Sequence, residues 1–210
     1  MYEIPLLIDE PRAGNRKATI VLAPGAGAAS TSSFMEETAH ALAALSIRVV
    51  RFDFPYMRES GGKRGRPDSP AVLEETWLRV VEQAGGARDL VIGGKSMGGR
   101  IASMIADRVE VKGLVCLGYP FHPAGRPLSL RVAHMKELKT PALIVQGERD
   151  TLGSREEIAG YTLSPAIRIV YLADGDHSFK PRKRSGRTFE QNFTQAIEEV
   201  AAFCAGSGPG

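Results

Sequence analysis

Gly94-Lys95-Ser96-Met97-Gly98 lies between an apolar run that reads as a buried strand, Asp89 to Gly93, and a run that reads as a helix. A glycine-flanked serine in that setting restricts the possible folds more than any other feature of the chain. The strand must turn into the helix so tightly that the serine backbone is strained. Side chains at the flanking positions would collide with the neighbouring strand and helix, so both are glycine. The turn lifts the serine oxygen above the sheet edge. It also aims the amides that open the following helix at any negative charge developing there.

The remaining pattern supplies a sheet for that turn. Short apolar or β-branched runs predict seven strands, at Glu3–Ile8, Lys17–Ala23, Arg48–Phe54, Asp89–Gly93, Lys112–Gly118, Pro141–Gly147 and Ile167–Leu172. Several are apolar on both parities, as in Ala142-Leu143-Ile144-Val145. That suits a mostly parallel sheet covered on both faces. Helix starts are marked by Ser33 with Glu36, Ser154 with Glu157 and Thr188 with Gln191, each a capping-box spacing, and by Ser69-Pro70. Phe189, Phe193, Ile197, Val200 and Cys204 form one helical stripe, and Leu73, Trp77, Val80, Val81 and Ala84 form another. Both read as core faces. Strand and helix alternate without repeats or linkers, which predicts an α/β three-layer sandwich in one domain, residues 1–205. The Gly-Ser-Gly-Pro-Gly ending at 206–210 predicts a flexible tail. In such sheets the ligand site lies beyond the carboxyl ends of the strands.

Composition excludes some alternatives. With 210 residues, 43% hydrophobic and 24% charged, the chain has enough apolar content for one sizeable core. No apolar stretch approaches the ~20 residues of a membrane span. The N-terminus lacks a basic start followed by an apolar block, and the two cysteines, Cys116 and Cys204, read as free buried thiols. A cytoplasmic protein without a disulfide is the expectation. The four histidines are scattered and no metal-ligand spacing occurs, so neither a metal nor a cofactor is expected.

Serine is a poor nucleophile at neutral pH unless a base takes its proton and an acid orients the base. Asp150 follows the strand ending Val145-Gln146-Gly147, and His177 follows the strand ending Val170-Tyr171-Leu172. Glu148, Asp174 and Asp176 compete for the role of acid, and His40, His122 and His134 for that of base. Of the histidines, only His177 follows the last strand.

Over most of its length the chain resembles the α/β-hydrolase superfamily. Gly94-Lys95-Ser96-Met97-Gly98-Gly99-Arg100, Arg51-Phe52-Asp53-Phe54-Pro55-Tyr56 and Asp176-His177-Ser178-Phe179-Lys180 are similar to a small lid-less subgroup. That subgroup is described as dienelactone-hydrolase-like and includes relatives of the testis-expressed and NSL-complex-subunit hydrolases. The resemblance implies Ser96 as nucleophile, His177 as base and Asp150 as orienting acid. True dienelactone hydrolases use cysteine where this chain has Ser96, which removes the main reason to propose their substrate. The oxyanion hole is assigned to the amides of Met97 and of Ala26, in the loop Ala23-Pro24-Gly25-Ala26-Gly27-Ala28 after an early strand. Pro24 stands where many relatives have histidine. This loop lacks the spacing of a phosphate-binding or dinucleotide-binding motif.

Only residues 119 to 140 separate two of the strands where larger hydrolases insert a cap, which predicts an open site without a cap domain. Two loops carry the basic charge: Arg58, Lys63, Arg64 and Arg66 in one, and Lys180, Arg182, Lys183, Arg184 and Arg187 in the other. Both follow strands whose ends face the Ser96 edge. They suggest a positive rim, with Lys183, Arg184 and Arg64 as its candidates, that steers anionic substrates. The expectation is a serine hydrolase forming an acyl-enzyme from a small-molecule ester or thioester, with neither membrane nor nucleic acid as partner. A catalytically silent binding or scaffold member of the same fold is the alternative, because a fold does not guarantee chemistry.

Overall fold

The computed structural model describes residues 3–11, 15–59 and 65–206. Their elements run β1 (Leu6–Asp9), β2 (Ala18–Ala23), α1 (Ser33–Ala44), β3 (Ile47–Phe52), α2 (Pro55–Glu59), α3 (Pro70–Gln83), β4 (Leu90–Lys95), α4 (Met97–Val109) and β5 (Gly113–Leu117). They continue with β6 (Ala142–Gly147), α5 (Arg155–Ile158), β7 (Ile167–Leu172) and α6 (Phe189–Ala205). All seven expected strands form, the first shifted toward Asp9 and β4 running on to Lys95.

The strands make one sheet in the order β1-β3-β2-β4-β5-β6-β7. β1 pairs antiparallel with β3, and every other pair is parallel. Alternate residues of each strand enter opposite layers. Ile20 and Leu22 of β2 pack with Met35, Ala39 and Leu42 of α1 and Ile197 and Val200 of α6. Val21 and Ala23 pack on the other side with Trp77 of α3 and Ile101 and Ile105 of α4. Each Val, Leu, Ile or Met side chain among these taken fully out of water contributes ~1.5–3 kcal/mol, so two filled faces hold the sheet between its helices. This is the three-layer α/β-hydrolase fold.

Strand order reverses between β2 and β4, because the chain goes from β2 outward to β3 and then crosses to β4. The crevice at such a reversal, beyond the carboxyl ends of the strands, is where an open sheet binds ligands. The loop after β2 and the turn after β4 therefore lie side by side. Between β5 and β6 the chain makes a loop with one 3-10 turn, Ala133–Lys136, and no cap domain.

The boxes at Ser154 with Glu157 and at Thr188 with Gln191 form with both reciprocal bonds. Ser69 caps α3 with Pro70 at its first position. The expected box at Ser33 does not form. Ser32 is the N-cap and accepts the Glu36 amide on its carbonyl at 2.9 Å, so Ser33 falls inside the helix. Cys116 and Cys204 are free and buried. Gly206 ends α6 in the left-handed conformation, and the rest of the expected tail, 207–210, lies outside the described residues. Among the described residues no helix is long and apolar enough to cross a membrane.

Candidate active site

Ser96 caps α4 with φ 51° and ψ −115°, a conformation that costs an L-residue on the order of 1–3 kcal/mol. Two backbone bonds hold it there: its amide donates to Leu117 O at 3.0 Å, and its carbonyl accepts the Arg100 amide at 3.0 Å. A Cβ placed on Gly94 would lie 2.1 Å from the carbonyl oxygen of Ala23, and one on Gly98 would lie 2.3 Å from that same oxygen. The last carbonyl of β2 thus fills the space that both glycines leave.

His177 Nε2 lies 2.9 Å from Ser96 Oγ, and His177 Nδ1 lies 2.7 Å from Asp150 Oδ2. A carboxylate only accepts, so Nδ1 carries the proton toward Asp150 and Nε2 is left to accept the serine hydroxyl. Asp150 is fully buried at 0% exposure and takes two further bonds, from Gln146 Nε2 at 2.9 Å and from the Leu152 amide at 2.8 Å. Gln146 is itself oriented, accepting the Tyr119 amide at 2.8 Å and donating to Gly153 O at 3.0 Å. The competing acids are engaged elsewhere. Glu148 pairs with Arg155, Asp174 with Arg182 and Arg149, and Asp176 accepts the amides of Ser178 and Lys180. Of the other histidines, His40 lies on the exposed side of α1 and His134 bonds Ser103. His122 lines the same cavity as Ser96, with its Nε2 3.4 Å from Glu157.

That cavity has a volume of about 670 Å³, and Ser96, His177, Ala26 and Met97 all border it. A Cβ on Gly25 would come within 3.5 Å of Ser96 Cβ, so the loop after β2 presses close to the serine. Among the described residues neither the Ala26 nor the Met97 amide donates to an acceptor. His177 keeps 27% of its side chain exposed, in keeping with a site that no cap covers. No group of three His, Cys, Asp or Glu side chains converges as a metal site among the described residues.

The loop carrying His177 is tied down from two sides. Asn192 of α6, fully buried, donates to Ala173 O at 3.1 Å and Phe179 O at 2.9 Å. Lys95 Nζ donates to the carbonyl of His177 itself at 2.6 Å, between the rings of Phe34 and Phe179 at 5.8 and 5.7 Å. Burial lowers the Lys95 pKa to about 8, against the opposing pull of the Asp150 and Asp176 carboxylates.

The basic rim takes a different form from the one the sequence suggests. Lys183 and Arg184 sit on an exposed 3-10 turn, Lys183–Ser185, and do not border the Ser96 cavity. Their loop folds back on the protein: Arg182 pairs with Asp174, and Arg187 donates to Asn192 Oδ1 at 2.9 Å and Gln195 Oε1 at 2.7 Å. Arg64 lies outside the described residues. Among the described residues, the lysine and arginine side chains that do reach the cavity are Lys95, Arg100 and Arg131. Gln146 had a legible signal, a lone amide in an apolar strand that must find partners once buried. Lys95 had none, since the motif treats its position as variable, and neither did Arg131.

The sequence profile of the alpha/beta hydrolase domain family matches residues 16–205, and the chain belongs to that family. Among solved structures it is similar to an alpha-beta serine hydrolase homologue from Coxiella burnetii, with 21% identity and a TM-score of 0.68 over 97% of this chain and 91% of that one. A lid-less α/β serine hydrolase from Xanthomonas campestris matches at 20% identity and a TM-score of 0.67, over 96% of this chain and 86% of that one. The esterase Est1E from Butyrivibrio proteoclasticus, solved with ferulic acid, matches at 15% identity and a TM-score of 0.69, over 94% of this chain and 96% of that one. At these identities the likeness is one of fold.

Proposed function

We propose that the protein is a serine hydrolase that cleaves small carboxylic esters or thioesters through an acyl-enzyme. Ser96 Oγ attacks the carbonyl carbon as its proton passes to His177 Nε2, and Asp150 steadies the imidazolium. The tetrahedral oxyanion is received by the amides of Ala26 and Met97. It collapses as His177 returns the proton to the departing alcohol or thiol. Water then repeats the sequence on the acyl-serine, releasing the acid and restoring Ser96.

The observation that carries this reading is the continuous hydrogen-bonded line from Ser96 through His177 to Asp150, at 2.9 and 2.7 Å. Two amides beside it, unengaged among the described residues, support the second requirement, each such donor being worth roughly 10²–10³ in rate. With no cap to bury a long chain, short acyl groups are the preferred substrates, and a rate profile across acyl lengths reads this directly. The motifs that resemble the lid-less dienelactone-hydrolase-like subgroup support this reading, while Ser96 where true dienelactone hydrolases have cysteine favours simple esters.

Labelling by a fluorophosphonate probe tests the reading. The unmodified protein is expected to be labelled, and Ser96→Ala is not. If the unmodified protein resists the probe while folded, the silent binding alternative replaces this one.

A further inference from the structure

The Ser96 cavity holds positive charge that the hydrolytic steps do not use. Arg100 and Arg131 both border it, and the one carboxylate among its described lining residues is Asp68, which accepts the Tyr56 amide on Oδ2 at 3.0 Å. None of the described ion pairs involves either arginine. Arg100 reaches only the weak acceptor Met104 Sδ, at 3.6 Å from Nη1, and its Nε is buried without a hydrogen-bond partner among the described residues. Arg131 is fixed through its backbone, where its amide donates to Phe121 O at 2.7 Å and its carbonyl accepts the Tyr119 hydroxyl at 2.9 Å.

The Arg100 charge also bears on Arg131. Burial, and then the charge of Arg100, hold the Arg131 pKa below its ordinary value. His134, bonded to Ser103, is pushed down by burial and then by Arg100, so it adds no positive charge of its own. Like charges facing a partly dry cavity cost both desolvation and repulsion, and an oxyanion between them relieves both. The guanidinium fork matches the paired oxygens of a carboxylate or phosphate. Arg100 is bonded through its amide to the Ser96 carbonyl, one helical turn from the reacting oxygen, so the anion lies a short skeleton away from the cleaved bond. The cavity, at about 670 Å³, is of ordinary size for a small-molecule ligand.

We propose that Arg100 and Arg131 form an anion subsite, so that the ester or thioester cleaved at Ser96 carries a carboxylate or phosphate on the same small skeleton. Cleavage rests on the hydrolase reading; binding does not. The test therefore uses the Ser96→Ala protein, titrated calorimetrically with monoethyl glutarate and with uncharged diethyl glutarate. The half-ester is expected to bind about tenfold tighter or better, and Arg100→Gln or Arg131→Gln each to remove most of that ratio. Acetylglycerol phosphate against acetylglycerol asks the same of a phosphate; preference for the charged member of either pair supports the subsite and names the group. Equal affinity within both pairs overturns it, as does an arginine substitution that weakens charged and neutral ligands alike. Arg131 is half-exposed on a loop, so its substitution decides the matter even if the helix variant fails to fold. Fluorophosphonate labelling of the unmodified protein reports on Ser96 separately. Absent labelling with intact charge preference removes the cleavage and leaves the subsite, and labelling without preference does the reverse.

Discussion

Lys95 stands one residue before Ser96 in the glycine-flanked turn, yet its contacts are with the loop that carries His177. Its ammonium holds the His177 carbonyl at 2.6 Å, and its pKa lies at about 8 against an ordinary 10.5 because burial disfavours the charge. Between those two values the unfolded chain holds a proton that the folded chain has released. Lys95 therefore contributes stability that rises with pH through that window and nothing more above it. Buried Cys116, Cys204 and Tyr119 keep protons that the unfolded chain gives up in the same range, so the rise should be read in urea denaturation as the difference between the unmodified protein and Lys95→Met. The same variant frees the His177 carbonyl, so kcat on a short ester should fall about tenfold or more, with a smaller change in KM. The convergence of Ser96, His177 and Asp150 was legible because the proposed chemistry asks for an ordered set of groups, each just past a strand. The grip of Lys95 on a carbonyl 82 positions away was not, since local pattern carries no record of long-range contact.

At the level of elements, the strands were legible because a sheet covered on both faces leaves apolar runs without alternation, as β2 and β6 have. The helix α2 was not expected. It spans only Pro55–Glu59, too short for a helical stripe, and begins where Pro55 fixes its first turn. Capping spacing was informative at two of three sites. Thr188 Oγ1 accepts the Gln191 amide at 3.2 Å and the Thr188 amide donates in return to Gln191 Oε1 at 3.0 Å, whereas Ser33 caps nothing. Thr188→Ala should accordingly cost about 1 kcal/mol in chemical denaturation, and Ser33→Ala close to nothing.

On the scale of the whole molecule, charge counted along the chain did not say where that charge would face. From Ser178 to Arg187 the loop after β7 carries five basic residues and no acid. Once folded, it commits Arg182 and Arg187 to internal partners and turns Lys183 and Arg184 toward water. At physiological salt, fields from such exposed groups fade over about 8 Å. The double substitution Lys183→Gln, Arg184→Gln should therefore shift kcat/KM for an anionic ester by less than about twofold, and a larger loss would restore those two residues as the selecting charge. The tie from Asn192 to the carbonyls of Ala173 and Phe179 has its own consequence, because it makes the placement of His177 hang on the docking of the final helix. Warming should loosen that terminal segment before the central strands separate, since such units open below the global free energy. Turnover should then fade several degrees ahead of the far-ultraviolet transition, and Asn192→Ala should widen the interval.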